Sequence, residues 1–185
     1  MILPNQLAQL AKLFDELQID YAVLGGIAVS YYGEPRFTWD IDVNILLRTD
    51  QIEDFLETAK MRGFSPRTPN AREILKKTGV LPMTFVDGEE EGHCDLIVAQ
   101  NALEIAGIRR ASFRDIGNSR IKLIACEDLV LHKIASDRPR DREDLLGILR
   151  RQGKNMDRTY IHDWLRRLSE AGTQDFVALF KTLDA

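Results

Sequence analysis

The sequence predicts an α/β fold: a small mixed β-sheet flanked by helices, followed by a C-terminal helical segment. Three observations predict it. Residues 21–47 read as strand, Gly-Gly turn, short helix, loop and second strand. Residues 80–86 and 93–99 alternate as a β-hairpin about the polar, Gly-bounded stretch 87–92. From Glu127 onward, apolar residues recur at helical spacing. A chain of 185 residues with 44% hydrophobic content can build one such domain with a helical appendage. We divide it into a core over 1–125 and a helical region over 126–185, expected to pack on the core.

The elements follow in order. Residues 3–17 place Leu7, Leu10, Phe14 and Leu17 at helical spacing, and strand one follows over 20–24. Gly25-Gly26 then opens a short apolar helix over 27–32. Pro35 keeps the next loop out of helix, and a second strand is expected over 38–47. Asp40 and Asp42 alternate with Trp39, Ile41 and Val43, so the two acids share one face and the apolar three the other. Two carboxylates roughly 7 Å apart along a strand repel unless a cation lies between them, and hard oxygen ligands suit Mg²⁺ with substrate phosphates. Glycines without Cβ let backbone approach a ligand, and N–H groups opening a helix favour phosphate. Alone, either feature also fits plain turn chemistry or a solvated face.

Residues 50–61 form a helix, 63–69 a Pro-containing loop and 71–77 a short helix. In the second hairpin strand Asp95 sits between Cys94 and Leu96, where an acid is costly unless paired or metal-bound; His93 shares its face. A short helix over 101–106 and strands over 109–116 and 120–124 follow, with Gly117-Asn118 between the strands. Helix 127–136 carries Lys133. The next run contains Asp141 and Asp144 on one helical face. Helices over 156–168 and 173–183 carry apolar stripes for packing on preceding helices or for self-association as a homodimer. Arg36 has two readings, a guanidinium for phosphates or the acidic cluster, and an ion pair with Asp42 or Glu34. Lys133 with Asp141 and Asp144 also fits a web of ion pairs.

The net charge of −4 argues against broad electrostatic binding to nucleic acid. The charge is uneven: residues 1–100 sum to −7 and residues 101–185 to +3, which leaves the second half open to a polyanionic acceptor and equally reads as a solvated helical surface rich in both signs. No apolar run is long enough to span a bilayer and no signal-type segment opens the chain, which places it in the cytoplasm away from membranes. Cys94 and Cys126 lack metal-type spacing and read as buried thiols.

The run GGIAVSYYGEPRFTWDIDVNILL resembles the signature of the DNA polymerase β-like nucleotidyltransferase superfamily. Its form, Gly-Gly-x-Ala then Gly-x-x-Arg-x-Thr-x-Asp-x-Asp, is similar to the small bacterial branch related to AbiEii-like toxins of toxin–antitoxin systems. The resemblance implies a nucleotidyltransferase fold and transfer of a nucleoside monophosphate from an NTP such as ATP to an acceptor hydroxyl. It implies Mg²⁺ or Mn²⁺ on Asp40, Asp42 and Asp95, the last as the third carboxylate from a neighbouring strand. It implies nucleotide contacts from Gly25, Gly26, Ser30, Arg36 and Lys133, with Asp141 and Asp144 ordering basic side chains. The acceptor would be tRNA, a protein side chain or a small molecule. Gly26 stands where many members have Ser, and the chain is shorter than typical AbiEii-like toxins. The competing expectation is a catalytically silent binding or regulatory module on the same fold.

Overall fold

The computed structural model describes residues 5–136, 138–172 and 174–184. The helix starts expected at Leu3 and Thr173 lie outside these residues. The described chain divides into two compact units: residues 1–27 with 37–124, and residues 28–36 with 125–185.

The first unit is built on a seven-stranded mixed sheet. In chain order it contains α1 (Gln6–Glu16), β1 (Tyr21–Val23), the start of α2 (Gly25–Tyr32), β2 (Asp40–Ile45), a 3-10 turn (Thr49–Gln51), α3 (Ile52–Met61), β3 (Phe64–Pro66), α4 (Ala71–Thr78), β4 (Val80–Asp87), β5 (Glu90–Val98), α5 (Ala102–Arg110), β6 (Ser112–Ile116) and β7 (Ser119–Leu123). The strand order is β3-β4-β5-β2-β1-β7-β6. The β1–β7 and β2–β5 pairs are parallel; the β1–β2, β3–β4, β4–β5 and β6–β7 pairs are antiparallel. Tyr21, Ala22 and Val23 are all buried. Successive strand residues point to opposite faces, so β1 is covered on both sides. Phe14 of α1 meets Tyr21 with ring centroids 4.6 Å apart.

Three local readings change. The expected loop over 63–69 contains a short edge strand, because Phe64 buries against Phe85 with centroids 4.7 Å apart. Pro66 closes that strand at its edge, where a missing N–H is harmless. The hairpin turn contracts to Gly88-Glu89, with φ 64° at Gly88 alone, as in a type II′ turn with glycine first. β2 starts only at Asp40, so Trp39 does not join Ile41 and Val43 in the core and is 70% exposed.

The second unit holds the rest of α2 and the helices α6 (Cys126–Ser136), α7 (Pro139–Gln152), α8 (Arg158–Ala171) and α9 (Phe176–Leu183). Pro139 sits in the first turn of α7, where its missing N–H costs nothing. Asp157 and Asp175 cap α8 and α9, accepting from Tyr160 N and Ala178 N, both at 2.9 Å. α6 packs on α7, α8 and α9, burying Leu129, Val130, Ile134, Ile148, Leu165 and Phe180. From the apolar stripes of α8 and α9, Leu165 and Phe180 are buried within the unit, while Trp164, Leu168, Phe176 and Leu179 stay half-buried. Among the described residues no helix is long and apolar enough to cross a membrane.

Candidate active site

β2 places its acids by simple alternation. Ile41, Val43 and Ile45 are fully buried on one face, which leaves Asp40 and Asp42 on the other, with the Asp40 side chain 43% exposed. β5 runs parallel to β2 and in register, pairing Asp40 with His93 and Asp42 with Asp95. Neighbouring strands lie about 4.8 Å apart and paired residues share a face, so Asp95 stands directly beside Asp42. The pleat thus brings all three sequence-predicted carboxylates onto one face. Cys94 and Leu96, the alternating residues of β5, are buried on the other; burial pushes the Cys94 thiol well above its ordinary value.

The glycine turn lies against this face. Leu24 N donates to Asp42 O at 2.9 Å, fixing the end of β1 to β2. Gly25 has φ 61°, a conformation L side chains avoid, and a Cβ there would overlap Asp42 Oδ2. A Cβ on Gly26 would come within 2.5 Å of Thr38. Thr38 in turn donates from Oγ1 to Asp40 O at 3.1 Å. Glycine at both positions therefore allows the opening of α2 to approach the acidic strand.

Two further side chains answer the acids. His93 holds Nδ1 3.6 Å from Asp40 Oδ1 and Nε2 3.0 Å from Glu91 Oε1. Arg67, just beyond β3, forms an ion pair with Asp95. Arg67 carries no sequence signal of its own; a basic residue in a Pro-containing stretch reads as solvated, and its partner is set by the pairing of three strands. Phe37 and Trp39, either side of Thr38, are 80% and 70% exposed.

The donor set fits a hard divalent cation in kind: three carboxylates on one face, two of them register partners, beside a turn that a Cβ would fill. The side chains as they stand are not gathered into a closed shell. Among the described residues no group of three or more potential ligands is placed to hold a metal ion. A cavity of about 400 Å³ lined by Leu47, Ile52, Arg72, Leu75, Lys76 and Val98 lies past the C-terminal ends of β2 and β5 and includes none of the three carboxylates.

Ser30, Arg36 and Lys133 belong to the second unit. Ser30 Oγ donates to Arg36 O at 3.1 Å and accepts from Arg36 N at 3.3 Å, pinning the loop after α2. Arg36 grips Asp144 with two parallel bonds, Nε to Oδ1 at 2.8 Å and Nη2 to Oδ2 at 3.0 Å. Asp144 is thus an ion-pair partner of Arg36, and Glu34 faces Arg150 at 3.8 Å. Lys133, only 8% exposed, donates to Asp144 Oδ2 at 2.8 Å and to Asp141. Asp141 also accepts from Ser136 and from Arg138 Nε at 2.6 Å. Burial pushes the Asp141 carboxyl up, but the bonds from Lys133, Ser136 and Arg138 outweigh it and hold the group below the ordinary carboxylate range. Asp144 is held low in the same way by Arg36 and Lys133 against its burial.

Comparison with known proteins identifies the fold. The chain is similar to the crystal structure of an antigenic nucleotidyltransferase-like protein from Paracoccidioides brasiliensis, at 18% identity and TM-score 0.51, over 97% of this chain and 90% of that one. It is also similar to the solution structure of the antibiotic-resistance factor ANT(2'')-Ia, at 14% identity and TM-score 0.54, over 88% of this chain and 91% of that one. At these identities the likeness establishes the fold. No curated protein matches the sequence. Residues 4–174 match the family described as "Nucleotidyl transferase of unknown function (DUF2204)". With a match over almost all of its length, a glycine turn set against an acidic strand and the fold of the structures above, the chain belongs to that nucleotidyl transferase family.

Proposed function

We propose that the chain transfers a nucleoside monophosphate from a nucleoside triphosphate to an acceptor hydroxyl, releasing pyrophosphate. The observation that carries this reading is the register of β2 on β5, which sets Asp42 beside Asp95 and Asp40 on the same face, against Gly25. Asp40, Asp42 and Asp95 would hold Mg²⁺ or Mn²⁺, which supplies a lowered pKa for the attacking hydroxyl and neutralises the leaving pyrophosphate. Gly25 and Gly26 would meet the triphosphate at the opening of α2, where backbone N–H groups favour phosphate oxygens. Ser30, Arg36 and Lys133 serve this reading by ordering the second unit, since each is engaged there by the bonds described above. The acceptor belongs to the class of hydroxyl-bearing molecules: tRNA, a protein side chain or a small molecule. The likeness to AbiEii-like proteins extends the proposal to a toxin role.

A specific observation favours a second reading. Asp95 is already answered by Arg67, as expected of a silent binding or regulatory module. One experiment separates the two. The protein is incubated with each α-labelled triphosphate, Mg²⁺ and a cell extract. Label on an acceptor, lost in Asp42→Asn, supports the transferase. Triphosphate binding without labelling in any mixture assigns the chain to the module.

A further inference from the structure

Arg67 reaches the third carboxylate by a route the sheet defines. β3 ends at Pro66, but Arg67 N still donates to Pro82 O at 2.9 Å, keeping the chain level with β4 for one more residue. Pro82 is the register partner of Asp95. Residues level with one another across a sheet share a face, so Arg67, Pro82 and Asp95 project the same way. The short proline ring leaves the long Arg67 side chain free to cross two strand spacings, about 10 Å, to the Asp95 carboxylate. The backbone of Arg67 is tied down while its side chain stays 26% exposed and the Asp95 side chain 32%. A ligand entering from solvent can therefore part the pair without moving a strand.

Charge decides what parts it. A cation on Asp95 in the absence of nucleotide would have to displace the guanidinium that already answers it. A triphosphate brings several negative charges, which both accommodate a second cation and offer the guanidinium a new bidentate partner.

We infer that Arg67 is a resident counter-ion of Asp95, withholding it from divalent cations until a bound triphosphate draws the guanidinium away. Arg67 is on this account a positioning residue that orders the loading of the site: one cation first on Asp40 and Asp42, the second on Asp95 with the nucleotide. The inference rests on the transferase reading of the same face.

The test uses Mn²⁺ as the probe, with free Mn²⁺ read by electron paramagnetic resonance during titration of the full chain. Without nucleotide, the wild type binds one Mn²⁺. Arg67→Gln takes up a second, or binds the first about fivefold tighter, the factor that roughly 1 kcal/mol from a partly exposed ion pair returns. Arg67→Lys, which keeps the charge, stays closer to wild type. With a non-hydrolysable triphosphate the wild type itself gains the second site. Asp95→Asn removes the site gained with triphosphate, a check that needs no change at Arg67. If Arg67→Gln titrates like wild type while Asp42→Asn loses Mn²⁺, the role of Arg67 is overturned and the metal site stands. If neither wild type nor Arg67→Gln binds Mn²⁺ with or without triphosphate, the transferase reading falls and this inference with it.

Discussion

Two closely spaced acid pairs meet opposite fates in this molecule. Asp40 and Asp42 lie two apart on β2; Asp141 and Asp144 lie three apart on α7. Both spacings put the carboxylates on one face of their element. The helix pair is buried, with side chains 4% and 5% exposed, and is held by Lys133, Arg36, Arg138 and Ser136. On the strand, Asp40 is 43% exposed and faces the ring of His93. Spacing alone therefore reports which face an acid occupies. Whether the acid is closed into an ion-pair core or kept for a ligand depends on the cations the fold delivers to it. Asp95 stands between the two cases, as accessible as a ligand-binding acid yet answered by Arg67.

The largest effect that would break this contrast is on activity. Asp42→Asn should lower nucleotidyl transfer on the order of 10³-fold, the several kcal/mol a catalytic cation supplies, while thermal unfolding stays cooperative because Ile41, Val43 and Ile45 hold β2 from its other face. An unfolded Asp42→Asn protein would mean that the strand acids are structural too. Lys133→Met tests the other side. It leaves two buried carboxylates short of their shared cation, so denaturant unfolding should show a loss of about 3–5 kcal/mol. A loss below about 1 kcal/mol would mean that the helix network is solvated and the contrast false.

A third test uses pH. Asp144 titrates below its unfolded value of about 3.9. A carboxyl lowered on folding contributes stability that is fully present above the unfolded pKa and is lost as pH falls through the folded one. The stability gap between wild type and Asp144→Asn should therefore be widest near pH 6 and close as the pH falls below about 4. A gap that holds constant between pH 6 and pH 3 in thermal unfolding would show that Asp144 acts through packing rather than charge.

Much of the framework is legible without coordinates, for local reasons. Gly25-Gly26 and the alternation at Asp40 and Asp42 signal their turn and strand within a few residues, and the helices of the second unit declare themselves by periodicity. Asp95 stands out because an acid among apolar strand residues needs a partner. What is not legible depends on pairing at a distance. β3 has three residues, one of them a proline, too short for a periodic signal, and exists because Phe64 meets Phe85. Arg67 finds Asp95 only through β3, β4 and β5 in register, and Arg36 finds Asp144 across 108 residues of chain. Trp39 defeats the alternation rule because pairing begins one residue after it.

The smallest predicted effect sharpens the contrast from inside the strand. Asn44 follows Asp42 on the same face, level with Ala22 of β1 and Ile97 of β5. It is 1% exposed, and neither its amide nitrogen nor its oxygen has a hydrogen-bond partner among the described residues. Burying such a group unanswered costs about 1–3 kcal/mol, the reverse of the satisfied network around Lys133. Asn44→Val keeps a similar volume, suits a strand and removes both polar atoms, so denaturant unfolding should show a gain of about 1 kcal/mol. A loss instead would mean that the carboxamide is satisfied in solution. A gain in stability joined to weaker Mn²⁺ binding would extend the ligand face one residue deeper along β2, and would show that this strand keeps a destabilising polar group because its site needs one.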